Sequence, residues 1–239
     1  MPTKRRANQL RPTKIQRYPT AASGSVMITV GRTQVLCTAS IASEVPRWLA
    51  GKDGQPPTRG WVTAEYAMLP GSTPDRKRRG GDSRGTEIQR LIGRVLRAAV
   101  DLEKMPGVMI TCDCDVITAD GGTRTAAITG AFVALAQAIA YARKQGAIEE
   151  NPLRGPIAAV SVGIIDGKAC LDLDYDLDSR AEVDMNIAMD HRGRFIEVQG
   201  TAEGKSFSRA DLDRLLALAT RGIRQLMRLQ RASLRSTLK

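Results

Sequence analysis

The apolar positions change period several times along the chain, and each change marks an element. Ser25 to Val30 and Thr33 to Ser40 are β-rich runs on either side of Gly31-Arg32, which predicts a hairpin. Glu44 to Arg59 is rich in Gly and Pro and reads as a loop, with Trp48 as a packing anchor inside it. Trp61 to Leu69 returns to a strand pattern. Beyond it, Ile88, Leu91, Ile92, Val95, Leu96 and Ala99 recur at helical spacing, with Arg90, Arg94 and Arg97 as a basic stripe on another face.

The chain is organised around Asp113 to Thr125. Ile110, Cys112, Cys114 and Val116 alternate with Thr111, Asp113 and Asp115, a strand with one apolar and one acidic face. Asp120-Gly121-Gly122 has the composition of a tight turn. Ile128, Phe132, Leu135, Ile139 and Ala142 then predict a helix with one apolar face, ended by Gly146 in the left-handed conformation. The motif is therefore strand, glycine turn, Thr-Arg, helix N-terminus. The first N–H groups of a helix have no internal partner and point outward, so such a place can seat an anion. Gly122 lets the anion approach the backbone, Thr123 adds a hydroxyl, and Arg124 offers a planar fork that matches two phosphate oxygens. No Gly-Lys-Ser/Thr follows at Walker spacing.

Downstream, Ala158 to Ile165 is a nearly continuous apolar strand, and Asp166-Gly167 predicts a turn into a second strand, Ala169 to Tyr175. An acidic run follows: Asp172, Asp174, Asp176, Asp178, Glu182 and Asp184. The first three read as outward residues of a surface strand. Asp178 in a loop and Asp184 at the start of the strand Val183 to Met189 can face one cleft, where two oxygen ligands suit Mg²⁺ or Mn²⁺. His191 falls at a hairpin tip and reads as exposed; as the only histidine, it argues against Ser-His or Cys-His nucleophilic catalysis. Phe195 to Gln199 reads as another strand. Ser208 is placed to cap a final helix over about 208–235, with Asp211 in its first turn and Leu212, Leu215, Leu216, Ala219, Ile223 and Leu226 on its apolar face.

Charge changes the picture most. Lys and Arg number 36 against 25 Asp and Glu, so the net charge is +11, which favours a polyanionic partner, nucleic acid foremost. Aromatic residues are only 4%, which points to phosphate contact rather than base stacking. Residues 1–20 read as an irregular basic arm carrying Lys4, Arg5, Arg6, Arg11, Lys14 and Arg17. The segment Pro70 to Gly85 holds Arg76, Lys77, Arg78 and Arg79, a solvated loop or an RNA-backbone contact. Arg84 stands at a helix start and is the better anion ligand. At 239 residues and 42% apolar composition the expectation is a single globular domain over 1–239. We read no apolar run near the roughly 18 residues of a membrane span and no secretory signal, so a cytoplasmic address and no membrane partner are expected. Cys37, Cys112, Cys114 and Cys170 sit in apolar runs and read as buried hydrophobes, and Cys112-x-Cys114 lacks the further ligands of a zinc site.

An anion cradle, an oxygen-ligand metal site and a basic surface together describe phosphate chemistry on nucleic acid. Two unit charges ~4 Å apart repel by about 4 kcal/mol at an effective dielectric near ~20, roughly three decades in rate unless compensated. Arginine and a divalent cation supply the compensation. The stretches Asn8 to Pro12, Gln34 to Ser40, Gly60 to Pro70, Thr86 to Leu102, Asp113 to Ala131, Asp178 to Asn186 and Ile196 to Gly204 resemble, in order, the bacterial ribonuclease PH family of phosphate-dependent 3′ exoribonucleases. The resemblance implies an α+β fold, the βαβα arrangement of ribosomal protein S5 domain 2, with mixed sheets packed with helices. It implies a homohexameric ring built as a trimer of dimers, and trimming of tRNA precursors by inorganic phosphate with release of nucleoside diphosphates. By the same resemblance Arg84, Gly122, Thr123 and Arg124 match phosphate-binding positions. Asp178 and Asp184 match the metal-binding and catalytic pair. Relatives carry an RNA-gripping arginine just after Leu-Pro; here that position is Gly71, and Arg76, Arg78 and Arg79 are the substitutes.

The alternative is a catalytically silent RNA-binding ring subunit of an exosome-like assembly. Silent relatives usually lack the phosphate arginine or the acidic pair, and this chain has both. A small-molecule kinase is disfavoured because no ATP-binding glycine loop is present.

Overall fold

In a computed structural model the chain is described over residues 5–50, 55–80, 83–203 and 206–237; Lys4 of the arm, residues 51–54 of the long loop and Gly204 lie outside these. Two sheets enclose a helix. The first has the order β1-β2-β3-β5-β4, with β1 Thr13–Arg17, β2 Gly24–Val30, β3 Thr33–Ala42, β4 Trp61–Met68 and β5 Met109–Thr118. The second has the order β7-β6-β8-β9, with β6 Ile157–Ile165, β7 Lys168–Leu171, β8 Val183–Asp190 and β9 Phe195–Ala202. Among the described residues only β4 and β5 pair in parallel, and the helix α1, Ser83–Ala98, lies between them in the chain. The predicted hairpin closes on Gly31, whose φ is 58°.

Helix α2, Thr123–Lys144, is the centre of the core, and here the structure corrects the one-faced expectation. Thr125 to Ile139 are buried without a break, because β2, β3 and β5 press on one side and β6 and β8 on the other. A helix buried all round needs small residues where backbones approach, and the Ala-rich sequence supplies them. By length and composition α2 could also cross a membrane, contrary to our reading of the apolar runs; 89% of its most apolar window is buried inside the protein, so it is a core helix. The final helix α4, Arg209–Thr237, covers the far face of the second sheet with Leu215, Ala219, Ile223 and Leu226. Its first turn is closed reciprocally: Asp211 N–H donates to Ser208 Oγ at 3.2 Å, and Ser208 N–H donates to the Asp211 carboxylate at 3.1 Å. The Ser208 hydroxyl also donates to the Asp211 carboxylate at 2.7 Å, and this bond, with the one from the Ser208 N–H, holds that carboxyl below its usual pKa.

Other expectations change once the layers assemble. Part of the basic arm is a strand: β1 pairs antiparallel with β2. The strand expected over Ala169 to Tyr175 stops at Leu171, and Tyr175–Asp178 forms a single helical turn, α3. Of the three aspartates read as outward, Asp172 is buried and Asp174 caps α3, accepting from Leu177 N–H at 3.1 Å. Trp48 is 62% exposed and stands perpendicular to Trp61, at 4.7 Å between ring centroids. His191 is half-buried against Gly155. The α1 stripe is not uniform either: Arg97 lies 4.4 Å over the Trp61 ring, and Arg94 pairs with Glu197. The four cysteines are free and buried, as expected.

Phe132→Ala empties a fully buried site on α2 and is expected to lower the unfolding free energy by about 3–5 kcal/mol. Phe195→Ala on the exposed edge strand should change it by less than ~0.5 kcal/mol. Chemical denaturation of the two variants checks the contrast.

Candidate active site

The glycine turn begins the site. Gly121 and Gly122 have φ of 70° and 63°, left-handed values that a side chain would strain. Gly122 is the N-cap of α2; no side chain caps the helix, and no acidic residue lies in its first turn. The leading N–H groups are thus left for a negatively charged partner. Thr123 Oγ accepts a hydrogen bond from the Tyr66 hydroxyl at 2.8 Å, which leaves the threonine proton to point away. Burial raises the Tyr66 pKa, so the phenol keeps its proton to donate; the charges of Arg84 and Arg124 work against that rise. Arg124 Nη1 donates to Gln199 Oε1 at 2.9 Å and lies 3.9 Å from the Glu87 carboxylate. Gln199 in turn donates to Glu87 at 3.0 Å, so β9 and α1 together aim the guanidinium.

Backbone contact brings the acidic half to this turn. A Cβ built on Gly121 would lie 2.6 Å from the Asp174 carbonyl carbon and 2.7 Å from Leu173 O and Tyr175 N. The glycine turn therefore rests directly on the chain that opens α3, and α3 presents Asp178 at its end. Asp184 is the second residue of β8, paired with Gly163 on β6 and Thr201 on β9. Burial raises the pKa of Asp184, the charge of Asp178 raises it further, and Arg124 and Arg84 oppose the rise. The Asp178 residue is exposed, yet protein crowds its carboxyl, and desolvation raises that pKa too, against Arg84, Arg124 and Arg11. Arg84, Arg124, Asp178 and Asp184 thus come from four elements into one electrostatic neighbourhood. The helix includes Arg84 in its first turn rather than starting after it.

The carboxylate pair fits a hard divalent cation. Its donors are oxygens, and each charge is costly without a counter-ion. Among the described residues no group of three or more His, Cys, Asp or Glu could hold a metal ion, so any cation here would have two protein carboxylates at most. Asp113 and Asp115 do not take part. They lie on the outer face of the first sheet, where Thr38 donates to Asp113 at 3.5 Å. Arg76, Arg78 and Arg79 are exposed in the loop between β4 and α1. That loop is tied near the glycine turn, since Ala119 N–H donates to Ser72 O at 2.8 Å. A Cβ on Gly71 would meet nothing within 4 Å, so the missing arginine is not excluded by space.

Sequence reasoning missed the residues that hold this site. Arg11 is buried and gives two bonds of 2.7 Å to the Asp172 carboxylate, one from its backbone N–H and one from its guanidinium. It also donates to Asp120 O at 2.6 Å, at the entrance to the glycine turn. Asp120 is gripped from the other side by Arg32, with two bonds of 2.9 Å. Tyr66, Glu87 and Gln199 were missed as well. Arg11, Tyr66, Glu87 and Gln199 all sit inside stretches that resemble the ribonuclease PH family, the one signal available for them.

The two sheets and the enclosed helix, with an uncapped glycine turn at that helix's N-terminus, define a mixed α/β fold. Family models agree: domain 1 of the 3′ exoribonuclease family matches residues 9–140 and domain 2 matches residues 155–222. The chain belongs to this ribonuclease PH family, and its fold is the family's ribosomal protein S5 domain 2-like arrangement. Among solved structures it is similar to a chain of the Archaeoglobus fulgidus exosome with RNA bound to the active site, at 23% identity and a TM-score of 0.79, covering 93% of this chain and 89% of that one. It is also similar to rice (Oryza sativa) Rrp46, at 20% identity and a TM-score of 0.76, covering 97% and 98%. A chain of an archaeal exosome core matches at 20% identity and a TM-score of 0.75, covering 95% and 89%. These likenesses concern the fold.

Two predictions follow from the site's energetics. Because the folded protein raises the pKa of Asp178 and Asp184, it holds their protons more tightly than the unfolded chain does. Stability should therefore fall as pH rises from the ordinary carboxylate range through the raised values. Asp184→Asn is expected to melt at a higher temperature than the parent at pH 7, with the gain vanishing in acid; a lower melting temperature at pH 7 contradicts this. Arg11→Met strands the buried Asp172 carboxylate and should cost about 3–5 kcal/mol; adding Asp172→Asn, which removes the charge, tolerates the φ of 59° at that position and still offers an acceptor to the Arg11 backbone N–H, should recover part of it, as read by denaturant titration.

Proposed function

We propose that this chain is a phosphorolytic 3′-to-5′ exoribonuclease of the bacterial ribonuclease PH kind, trimming the 3′ ends of tRNA precursors. The observation that carries the reading is the convergence of Arg84, Arg124, Asp178 and Asp184 on a glycine turn whose helix N-terminus is uncapped. Inorganic phosphate is seated by the first N–H groups of α2, the Thr123 hydroxyl and the two guanidiniums. One of its oxygens bonds to the phosphorus of the last nucleotide while the bond from that phosphorus to the preceding O3′ breaks. The products are a nucleoside diphosphate and an RNA shortened by one residue. The departing O3′ needs a proton, and an aspartate with a raised pKa, one of Asp178 and Asp184, is suited to give it. The same pair would hold Mg²⁺ or Mn²⁺, which supplies neutralisation of the charge on the transferring phosphoryl group. Since the phosphorus is exchanged between two oxygens of similar energy, the reaction runs in either direction.

Arg76, Arg78 and Arg79 hold the RNA ahead of the site. The assembly is a homohexamer, a trimer of dimers, and its four free cysteines suit the reducing cytoplasm. The rival reading, a silent RNA-binding subunit of an exosome-like assembly, draws on the likeness to exosome chains. Retention of both arginines and both aspartates favours catalysis. The experiment is incubation of a 3′-extended tRNA with and without phosphate, reading nucleoside diphosphate. Arg124→Ala is expected to lower the phosphate-dependent rate by roughly 100- to 1,000-fold with the fold retained. Undiminished activity in that variant removes Arg124 from the mechanism, and no diphosphate from the parent leaves the silent subunit.

A further inference from the structure

The last helix carries a feature that the catalytic site does not use. Arg221, Arg224, Arg228, Arg231 and Arg235 are spaced alternately by three and four residues on α4. At about 100° per residue they fall within roughly 80° of arc, opposite the buried face of Leu215, Ala219, Ile223 and Leu226. All five are exposed, and among the described residues none forms an ion pair. The acids of α4 are confined to its beginning, where Asp213 meets Arg209 and Asp211 meets Arg214. After Asp213 the chain contains no Asp or Glu at all.

Such a row works against its own helix, because like charges three and four residues apart repel. A face required only for solubility mixes signs, as the start of α4 does. The row extends about 21 Å along the axis with about 5 Å between successive arginines, a repeating positive charge suited to a repeating negative one. Arginine rather than lysine adds the fork that fits phosphate oxygens. A membrane-surface helix is a poor match, since the apolar face such a helix would insert is occupied by the second sheet.

We propose that this outward face of α4 binds the phosphodiester backbone of RNA at a distance from the catalytic site. The inference rests on the reading that the protein acts on RNA. Arg224 comes near the β8–β9 hairpin: a Cβ on Gly193 would lie 4.0 Å from its Nη2, and the exposed Arg192 adjoins it there. That hairpin is at the opposite end of β8 from Asp184, six residues or about 20 Å along the strand. A short oligonucleotide held at Asp184 is expected to leave Arg224 untouched, whereas the body of a longer RNA can extend to it.

The test compares the full-length parent with the triple variant Arg224→Gln, Arg228→Gln, Arg231→Gln and with its lysine counterpart at the same positions. Binding is read by fluorescence anisotropy across a salt series, using a short single-stranded oligonucleotide and a long RNA with a hairpin body and a 3′ tail. The glutamine variant should bind the long RNA on the order of tenfold more weakly, with a log–log salt slope shallower by about 2. Its affinity for the short oligonucleotide should be unchanged, and the lysine variant should keep the parent's slope. Equal affinity and slope for parent and glutamine variant on the long RNA overturn the proposal and leave an acidic protein partner as the reason for the row. If the parent shows the row-dependent binding but makes no nucleoside diphosphate in phosphate, phosphorolysis fails and the RNA contact stands.

Discussion

The architecture depends on one place where two backbones touch. Gly121 rests on the chain at Leu173 to Tyr175 with no room for even a methyl group, and through that contact the anion cradle meets the acidic turn. Arg11 locks the junction from below by binding Asp172 with both its backbone and its side chain, while its guanidinium also grips Asp120 O. The ion pair is nearly dry, with side chains 5% and 4% exposed, so neither member is tolerable without the other. One arginine thus ties the entrance of the glycine turn to the chain that leads into α3.

The core explains why this junction stays rigid. Helix α2 is clamped between both sheets and begins at the glycine turn, so the orientation of its N-terminus is inherited from the core that buries Thr125 to Ile139 without a break. Gln230 extends the brace from α4, donating to Thr129 O at 2.9 Å and to Ile157 O at 2.7 Å, which ties the last helix to α2 and to β6. Against this frame the charged groups are held out of their preferred state. Burial raises the pKa of both Asp178 and Asp184, and the charges of Arg84 and Arg124 oppose the rise at each.

Much of the fold was legible because local chemistry and tertiary environment agreed. The Gly31 hairpin, the turn at Asp166-Gly167, the Ser208 cap and the left-handed Gly146 all follow from backbone preferences of the residues present. Legibility failed where burial came from a distant partner. Asp172 looked solvent-facing because nothing nearby in the chain announces Arg11, 161 residues away. The single-faced reading of α2 failed for a like reason: whether alanines face water or a second sheet is not encoded in their spacing. Within the site, Arg84, Gly122, Thr123, Arg124, Asp178 and Asp184 carried recognisable signals, while Tyr66, Glu87 and Gln199 lie in resembling stretches but act by orienting other side chains, a role that shows only once their partners are in place.

By itself the sequence determined which residue types are present and which backbone conformations they favour: a glycine turn before a helix, arginines beside it, clustered aspartates downstream and an excess of positive charge. It carried enough ordered motif to mark the ribonuclease PH family. Only the tertiary structure decided that the glycine turn and α3 are in contact, that Arg11 and Asp172 are buried together, and that α4 turns its arginines outward. Those outcomes depend on which surfaces exclude water from one another, a property of the assembled layers rather than of any single segment.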